Sequence, residues 1–218
     1  LGNPARRVEK LVATEAAAAR LPAGTKAEIV APEAFAGLLG PNAVHQGLAL
    51  RAQPLEPYAV VDVCDVANPA PVLILDQITD PQNVGALFRS AAAFGACCVV
   101  QQDRHAPPLT GALAKAAAGA IERVPEVRVV NIARAVEQLR ELGYLTVALD
   151  GAAEIDLAAA LADPRPKALV IGAEGEGVRR LVAERCEQRA RIAIDAGMES
   201  LNASVAGAIA LYEAARKR

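Results

Sequence analysis

The stretch Leu169-Val170-Ile171-Gly172-Ala173-Glu174-Gly175-Glu176-Gly177-Val178 runs from three apolar side chains into a loop with three glycines in six residues. Such a loop brings backbone amides and carbonyls up to a ligand with no Cβ in the way. Its order is G-x-x-G-x-G rather than the G-x-G-x-x-G of a dinucleotide fingerprint, and it stands late in the chain, which disfavours a nucleotide-cofactor oxidoreductase. Alone, it also fits a plain strand-to-helix connection. Working outward, apolar runs at 72–76, 96–101, 144–150, 167–172 and 191–195 alternate with amphipathic segments. That alternation predicts an α/β fold with a mainly parallel sheet and covering helices. Ile132, Val136, Leu139 and Leu142 recur at helical spacing between an Asn131 cap and a Gly143 stop.

A second segment, Asp76 to Arg89, reads as a strand end that turns into a helix, with Asp80 as N-cap and Pro81 in the first helical position. Gly85 costs about 1 kcal/mol against alanine inside a helix, which implies that something approaches the backbone there. Arg89 follows one turn later on the same face, within reach of whatever Gly85 admits. A surface arginine beside an incidental glycine is the alternative. A third segment, Arg191 to Ala206, is again strand, glycine loop and helix start. Ser200 reads as the cap of the final helix, the commonest role of serine there. Asn202 places a carboxamide in the first turn of an otherwise apolar helix; a structural, hydrogen-bonded asparagine is its alternative reading. That helix carries a stripe of Leu201, Val205, Ile209 and Tyr212 beside the small residues Ala203, Ala206, Gly207 and Ala210.

The 218 residues are 53% hydrophobic and 22% charged, enough for a sizeable core, and the net charge of −2 gives no global pull toward a polyanion. Local clusters differ: Arg6, Arg7 and Lys10; Arg179, Arg180, Arg185, Arg189 and Arg191; and Arg216, Lys217 and Arg218. Solvated helix faces explain each cluster singly, and phosphate contacts are the functional reading. Aromatics make up 3% of the chain, which disfavours a stacking platform for bases. Cys64, Cys97, Cys98 and Cys186 lack C-x-x-C spacing, the adjacent pair is expected on opposite faces of a strand, and all four read as reduced core residues. His45 and His105 form no metal-ligand pattern, and no metal is expected. No run of eighteen apolar residues is present, and a cytoplasmic enzyme is the default expectation. The chain opens on Leu1 as if inside an element, so its first domain is expected to be partial.

Prolines at 54, 57, 69 and 71 mark a linker over 55–71, after a small α/β domain over 1–54 with strands at 26–30 and 47–51 and a helix at 32–39. The catalytic domain is expected over 72–218.

Taken together and in this order, the three segments resemble the motifs of the SpoU (TrmH) family of the SPOUT superfamily of RNA 2′-O-ribose methyltransferases, over roughly 72–214. N-x-G-x-x-x-R is Asn83, Gly85 and Arg89; G-x-E-G-x-G is Gly172, Glu174, Gly175 and Gly177; S-L-N-x-S-V-A runs from Ser200 to Ala206. The resemblance implies a SPOUT fold with a C-terminal trefoil knot, a rare exception to unknotted topology, and an L30e-like RNA-binding domain ending near Val44-His45-Gln46-Gly47. It implies S-adenosyl-L-methionine held by Gly172, Ile192 and Leu201, and a reaction site of Asn83, Arg89, Glu174, Ser200 and Asn202. It also implies a homodimer acting on RNA. The Ala-Glu-Gly-Glu-Gly loop looks most like the branch that methylates a guanosine ribose in 23S ribosomal RNA; transfer RNA, or a non-catalytic ribosome-assembly role, is the alternative. Ala193 and Ala196 depart from the family's proline and glycine in the third motif.

Overall fold

The computed structural model describes every residue except Leu1, Pro41, Asn42, Asn68, Thr110, Ala196, Lys217 and Arg218. The chain divides into two compact units, Leu1–Glu56 and Pro57–Arg218. In the first, β1 (Val8–Ala13), α1 (Glu15–Ala18), β2 (Glu28–Ile29), α2 (Ala34–Leu39) and β3 (Leu48–Ala52) build a three-stranded sheet in the order β2-β1-β3, parallel on one side and antiparallel on the other. The sequence reading found β2, α2 and β3 to within two residues and missed β1, whose charged first half hides its buried second half. His45 is structural: its ring stacks on Phe35 at 4.1 Å, and its Nδ1 accepts from the Gly47 amide at 3.0 Å.

The second unit runs α3 (Val60–Val63), β4 (Val72–Asp76), α4 (Pro81–Ala93), β5 (Cys98–Gln102), α5 (Gly111–Ala117), β6 (Glu126–Val129), α6 (Ile132–Glu141), β7 (Leu145–Leu149), α7 (Leu157–Ala160), β8 (Lys167–Gly172), α8 (Arg180–Ala183), β9 (Gln188–Ala190) and α9 (Ala203–Arg216). The strands form one parallel sheet in the order β6-β5-β4-β8-β7-β9. Side chains alternate across it, as the pleat requires. Leu73, Leu75, Leu169 and Ile171 face a core shared with α4, α5 and α9; Val72, Ile74, Ala168 and Val170 face one shared with α3, α6 and α8. Asp80 caps α4 by accepting from the Gln82 and Asn83 amides, and Asn131 caps α6 through the Arg134 amide.

Several expectations change. The segment read as a linker carries α3, bridges Tyr58 to Val127 and buries Val60 and Cys64, so apolar side chains between its prolines tie 57–71 into the second unit. The strand expected at 191–195 instead precedes that point, as β9, and only Arg191 continues it through a bridge to Asp156. Strand β6 was not anticipated because charged residues alternate along this sheet edge. Gly85 admits a protein helix rather than a ligand: a Cβ there would lie 2.5 Å from the Leu113 carbonyl oxygen and 2.7 Å from the Ala116 methyl, both on α5. On α9 the small residues Ala203, Gly207 and Ala210 face the core, whereas Val205, Ile209 and Tyr212 are exposed.

The cysteine pair does not point to opposite faces. Cys97 precedes β5 and escapes its alternation, so its sulfur lies with those of Cys64 and Cys98, all within 4.8 Å of one another. All four cysteines are free thiols. Hydrogen bonding with Cys97, and burial, push the Cys64 thiol up to about 12, while hydrogen bonds with Cys64 and Cys98 bring Cys97 down to about 4.

Close helix contact leads to a prediction. Helix propensity alone would make Gly85→Ala and Gly207→Ala stabilising by about 1 kcal/mol. The Gly85 methyl would strike backbone, however, whereas the Gly207 methyl would meet only the Leu87 Cδ2 terminus at 2.2 Å. Gly85→Ala is expected to destabilise by about 2 kcal/mol and Gly207→Ala by less, read from urea midpoints at unchanged slope. Two stabilised variants would contradict the packing argument.

Candidate active site

The carboxyl ends of β4, β8 and β7 meet where the strand order reverses, the place where an open parallel sheet leaves a crevice. A cavity of about 430 Å³ lies there, within the size range of small-ligand sites. Its walls come from three crossings: Leu149 to Gly151 after β7, Ile171 to Val178 after β8, and Ile192, Ser200 and Leu201 from the loop ahead of α9. Gly172, Ile192, Leu201, Glu174 and Ser200, all expected in the site, line this one cavity. Ala206 of α9 and the β7 end also line it and were not anticipated, because alanine and a strand terminus carry no signal in a sequence.

The glycine loop is shaped by its own backbone. A Cβ on Gly172 would fall within about 2 Å of the Gly177 carbonyl group, so only glycine permits the return of the loop over the strand end. Ala173 and Gly177 pair as an antiparallel bridge, with the Gly177 amide donating to the Ala173 carbonyl at 2.8 Å. Gly175 and Gly177 adopt φ of 79° and 67°, in the left-handed region that side chains avoid.

At the cavity mouth three distant segments join through one carboxylate. Glu174 Oε1 accepts from Asn83 Nδ2 at 3.0 Å, from Asn202 Nδ2 at 2.5 Å and from the Ala203 amide at 3.4 Å. Asn202 Nδ2 also donates to Asn83 Oδ1 at 3.0 Å. The other end of the Asn202 carboxamide caps α9, its Oδ1 accepting from the Ser204 hydroxyl at 2.6 Å and from the Ser204 and Val205 amides at 2.9 and 3.3 Å. Asn202, not Ser200, is therefore the helix cap, and Ser200 remains exposed at the cavity wall. Among the described residues the network leaves Glu174 Oε2 and the second Asn83 Nδ2 hydrogen available to a polar substrate.

Arg89 lies outside this network. It is exposed on α4 and makes no hydrogen bond or ion pair among the described residues. The arginines of 179–191 behave otherwise. Arg180, Arg185, Arg189 and Arg191 are paired with Glu184, Glu137, Asp150 and Asp156. Mostly exposed pairs of this kind contribute little to stability, yet they offset the positive charge that the sequence places there. Ala196, and Lys217 and Arg218 of the terminal basic cluster, lie outside the described residues.

Arg179 has a different partner. Asp76 is fully buried at the end of β4, where its Oδ1 accepts from Arg179 Nε at 2.9 Å and Nη2 at 2.6 Å and its Oδ2 from the Arg179 amide at 2.8 Å. A buried carboxylate needs such pairing, and here it fastens the far end of the glycine loop to the adjacent strand. Sequence reading gave Asp76 no role; a lone acid closing an otherwise apolar strand was the available signal.

Comparison with known proteins bears on this geometry. Residues 70–212 match the model of the SpoU rRNA Methylase family. An uncharacterized tRNA/rRNA methyltransferase of Synechocystis sp. is 44% identical over 182 residues, 81% of this chain but only 47% of that protein, so the match spans about half of its length. The 23S rRNA (guanosine-2′-O-)-methyltransferase RlmB of Vibrio vulnificus is 41% identical over 181 residues, 81% of this chain and 72% of that protein. The fold matches the crystal structure of an AdoMet-bound rRNA methyltransferase from Sinorhizobium meliloti with a TM-score of 0.81 at 24% identity, over 97% of this chain and 80% of that one. With the family model spanning the whole parallel sheet and relatives this similar over four fifths of its length, the chain belongs to the SpoU rRNA methylase family.

Proposed function

We propose that this protein transfers a methyl group from S-adenosyl-L-methionine to a ribose 2′-hydroxyl of RNA, with a guanosine of 23S ribosomal RNA as the preferred target. The observation that carries this reading is the convergence of Asn83, Glu174 and Asn202, one from each motif, at the mouth of a glycine-lined cavity. The RlmB relative supports the guanosine assignment, and the AdoMet complex of the same fold supports the cofactor. The cavity suits that cofactor by its size, its apolar walls of Leu149, Ile171 and Ile192, and the exposed backbone of Gly172 to Gly177. When bound, S-adenosylmethionine supplies an electrophilic methyl group and leaves as a neutral thioether.

The chain's residues then have to position the hydroxyl, whose proton passes to solvent as the methyl group arrives, and stabilise the negative charge that develops on its oxygen. Arg89 is the group for that charge, since it is an exposed guanidinium cation with no protein partner among the described residues. Its guanidinium also suits a flanking phosphate. Asn83, Asn202 and Ser200 would hold the ribose and phosphate, with Glu174 fixing both carboxamides. A ribosomal RNA substrate would place the enzyme in the cytoplasm; among the described residues no helix is long and apolar enough to cross a membrane.

Three further elements belong to this reading: an L30e-like RNA-binding role for the first unit, a knotted path for the C-terminal segment, and a homodimer. The exposed Val205, Ile209 and Tyr212 on α9 support the last, because one helix face presents three large apolar side chains to solvent. A stable dimer of this kind buries on the order of 2,000 Å² or more.

Arg89→Ala is expected to reduce single-turnover methyl transfer to unmethylated 23S RNA by about 100-fold while leaving S-adenosylhomocysteine affinity within about twofold. A wild-type rate would remove Arg89 from the reaction, and stronger methylation of transfer RNA would redirect the substrate assignment. For the dimer, light scattering should report twice the chain mass at micromolar concentration. Ile209→Glu should lower that mass and the activity together, and a fully active monomer would overturn the dimer.

A further inference from the structure

Three thiols meet at the end of the sheet opposite the cavity. Cys98 opens β5 opposite Val72, the first residue of β4, whereas the active-site loops leave β4 and β8 at Asp76 and Gly172. A five-residue strand spans about 13–17 Å, so the thiol cluster and the cavity are separate places. The Cys64 and Cys98 sulfurs are 3.7 Å apart, and all three sulfurs lie within 4.8 Å of one another. Zinc bound tetrahedrally by thiolates at about 2.3 Å sets its sulfurs about 3.8 Å apart, close to this spacing.

A second observation comes from another strand. Tyr144, just ahead of β7, is completely buried, yet its hydroxyl has no hydrogen-bond partner among the described residues. It belongs to the same buried cluster as Cys64 and Cys98, against which Cys97 packs. A buried hydroxyl without a partner is costly, and a negatively charged sulfur shell would give it an acceptor. Nothing in methyl transfer uses these four residues.

The geometry points to a structural zinc site formed by Cys64, Cys97 and Cys98, with Tyr144 donating a hydrogen bond to the thiolate shell. Three thiolates around a divalent ion leave one net negative charge, less than the two left around a monovalent ion, and an apolar surround favours the smaller charge. The fourth position falls to water entering past half-buried Cys97. The ion would tie α3 and the segment ahead of β4 to the start of β5, which fixes the entry of the chain into the sheet. Cys64 stands 34 residues before Cys98, so the three thiols do not form a site in the unfolded chain and binding would add to folding stability.

The test is titration of the reduced, full chain with cobalt(II) and zinc(II) as probes. One cobalt per chain should bind with a thiolate charge-transfer band in the near ultraviolet and tetrahedral bands in the visible, and zinc should displace it. Zinc should also raise the melting temperature. Cys97→Ser, at a partly exposed position that tolerates the change, should abolish the band, Cys186→Ser should keep it, and Tyr144→Phe should weaken binding at least tenfold. Folding of each variant is checked by circular dichroism. Absence of a charge-transfer band with all thiols free overturns the site, as does a band that survives in Cys97→Ser. A Cys64–Cys98 disulfide in protein purified without reductant, with no zinc uptake after reduction, overturns it equally.

Discussion

The parallel register between β4 and β8 is the constraint on which the rest of the second unit depends. It sets Asp76 opposite Gly172 at the point where the sheet changes direction. From there the loop after β8 must turn back over the strand end, which a side chain on Gly172 would prevent, and it must be held down at its far end. Asp76 does the second task by gripping Arg179 through both its backbone amide and its guanidinium. Replacing Arg179 would leave a fully buried carboxylate without its cation, so the loop and the strand are energetically one unit.

On this frame the polar network of the site is economical. Glu174 rides on the fastened loop, Asn83 projects from the capped first turn of α4, and Asn202 caps α9 with one end of its carboxamide and reaches Glu174 with the other. Each of the three residues is thus positioned by backbone that has its own reason to be rigid. The two helices are themselves locked together: α9 approaches α4 through Gly207 against Leu87, and α4 approaches α5 through Gly85. The small residues of these helices are used up inside the chain, which leaves the large apolar side chains of α9 for the outside.

The charge distribution shows how far a local reading can mislead. Arg179, Arg180, Arg185, Arg189 and Arg191 look in sequence like a basic surface, but each has an acidic partner, and four of those partners come from elsewhere in the chain. Arg89 has no such partner among the described residues and keeps its charge available. What distinguishes it is not its type or its spacing but that it forms no ion pair among the described residues.

The sequence by itself determined the α/β alternation, the caps of α4 and α6, the strands at the sheet centre and five of the residues lining the cavity, Gly172, Glu174, Ile192, Ser200 and Leu201, because these follow from local periodicity, turn chemistry and motifs carried by short contiguous segments. It did not determine β1 or β6, whose polar faces mask the alternation, nor the place of 57–71, where buried Val60 and Cys64 outweigh the prolines. Tertiary structure alone decided that Gly85 serves α5, that Asp76 holds Arg179, that Asn202 rather than Ser200 caps the last helix, and that three cysteines share one pocket. Each of these is a contact between groups tens of residues apart, or a choice between neighbours that only the final path of the backbone can make.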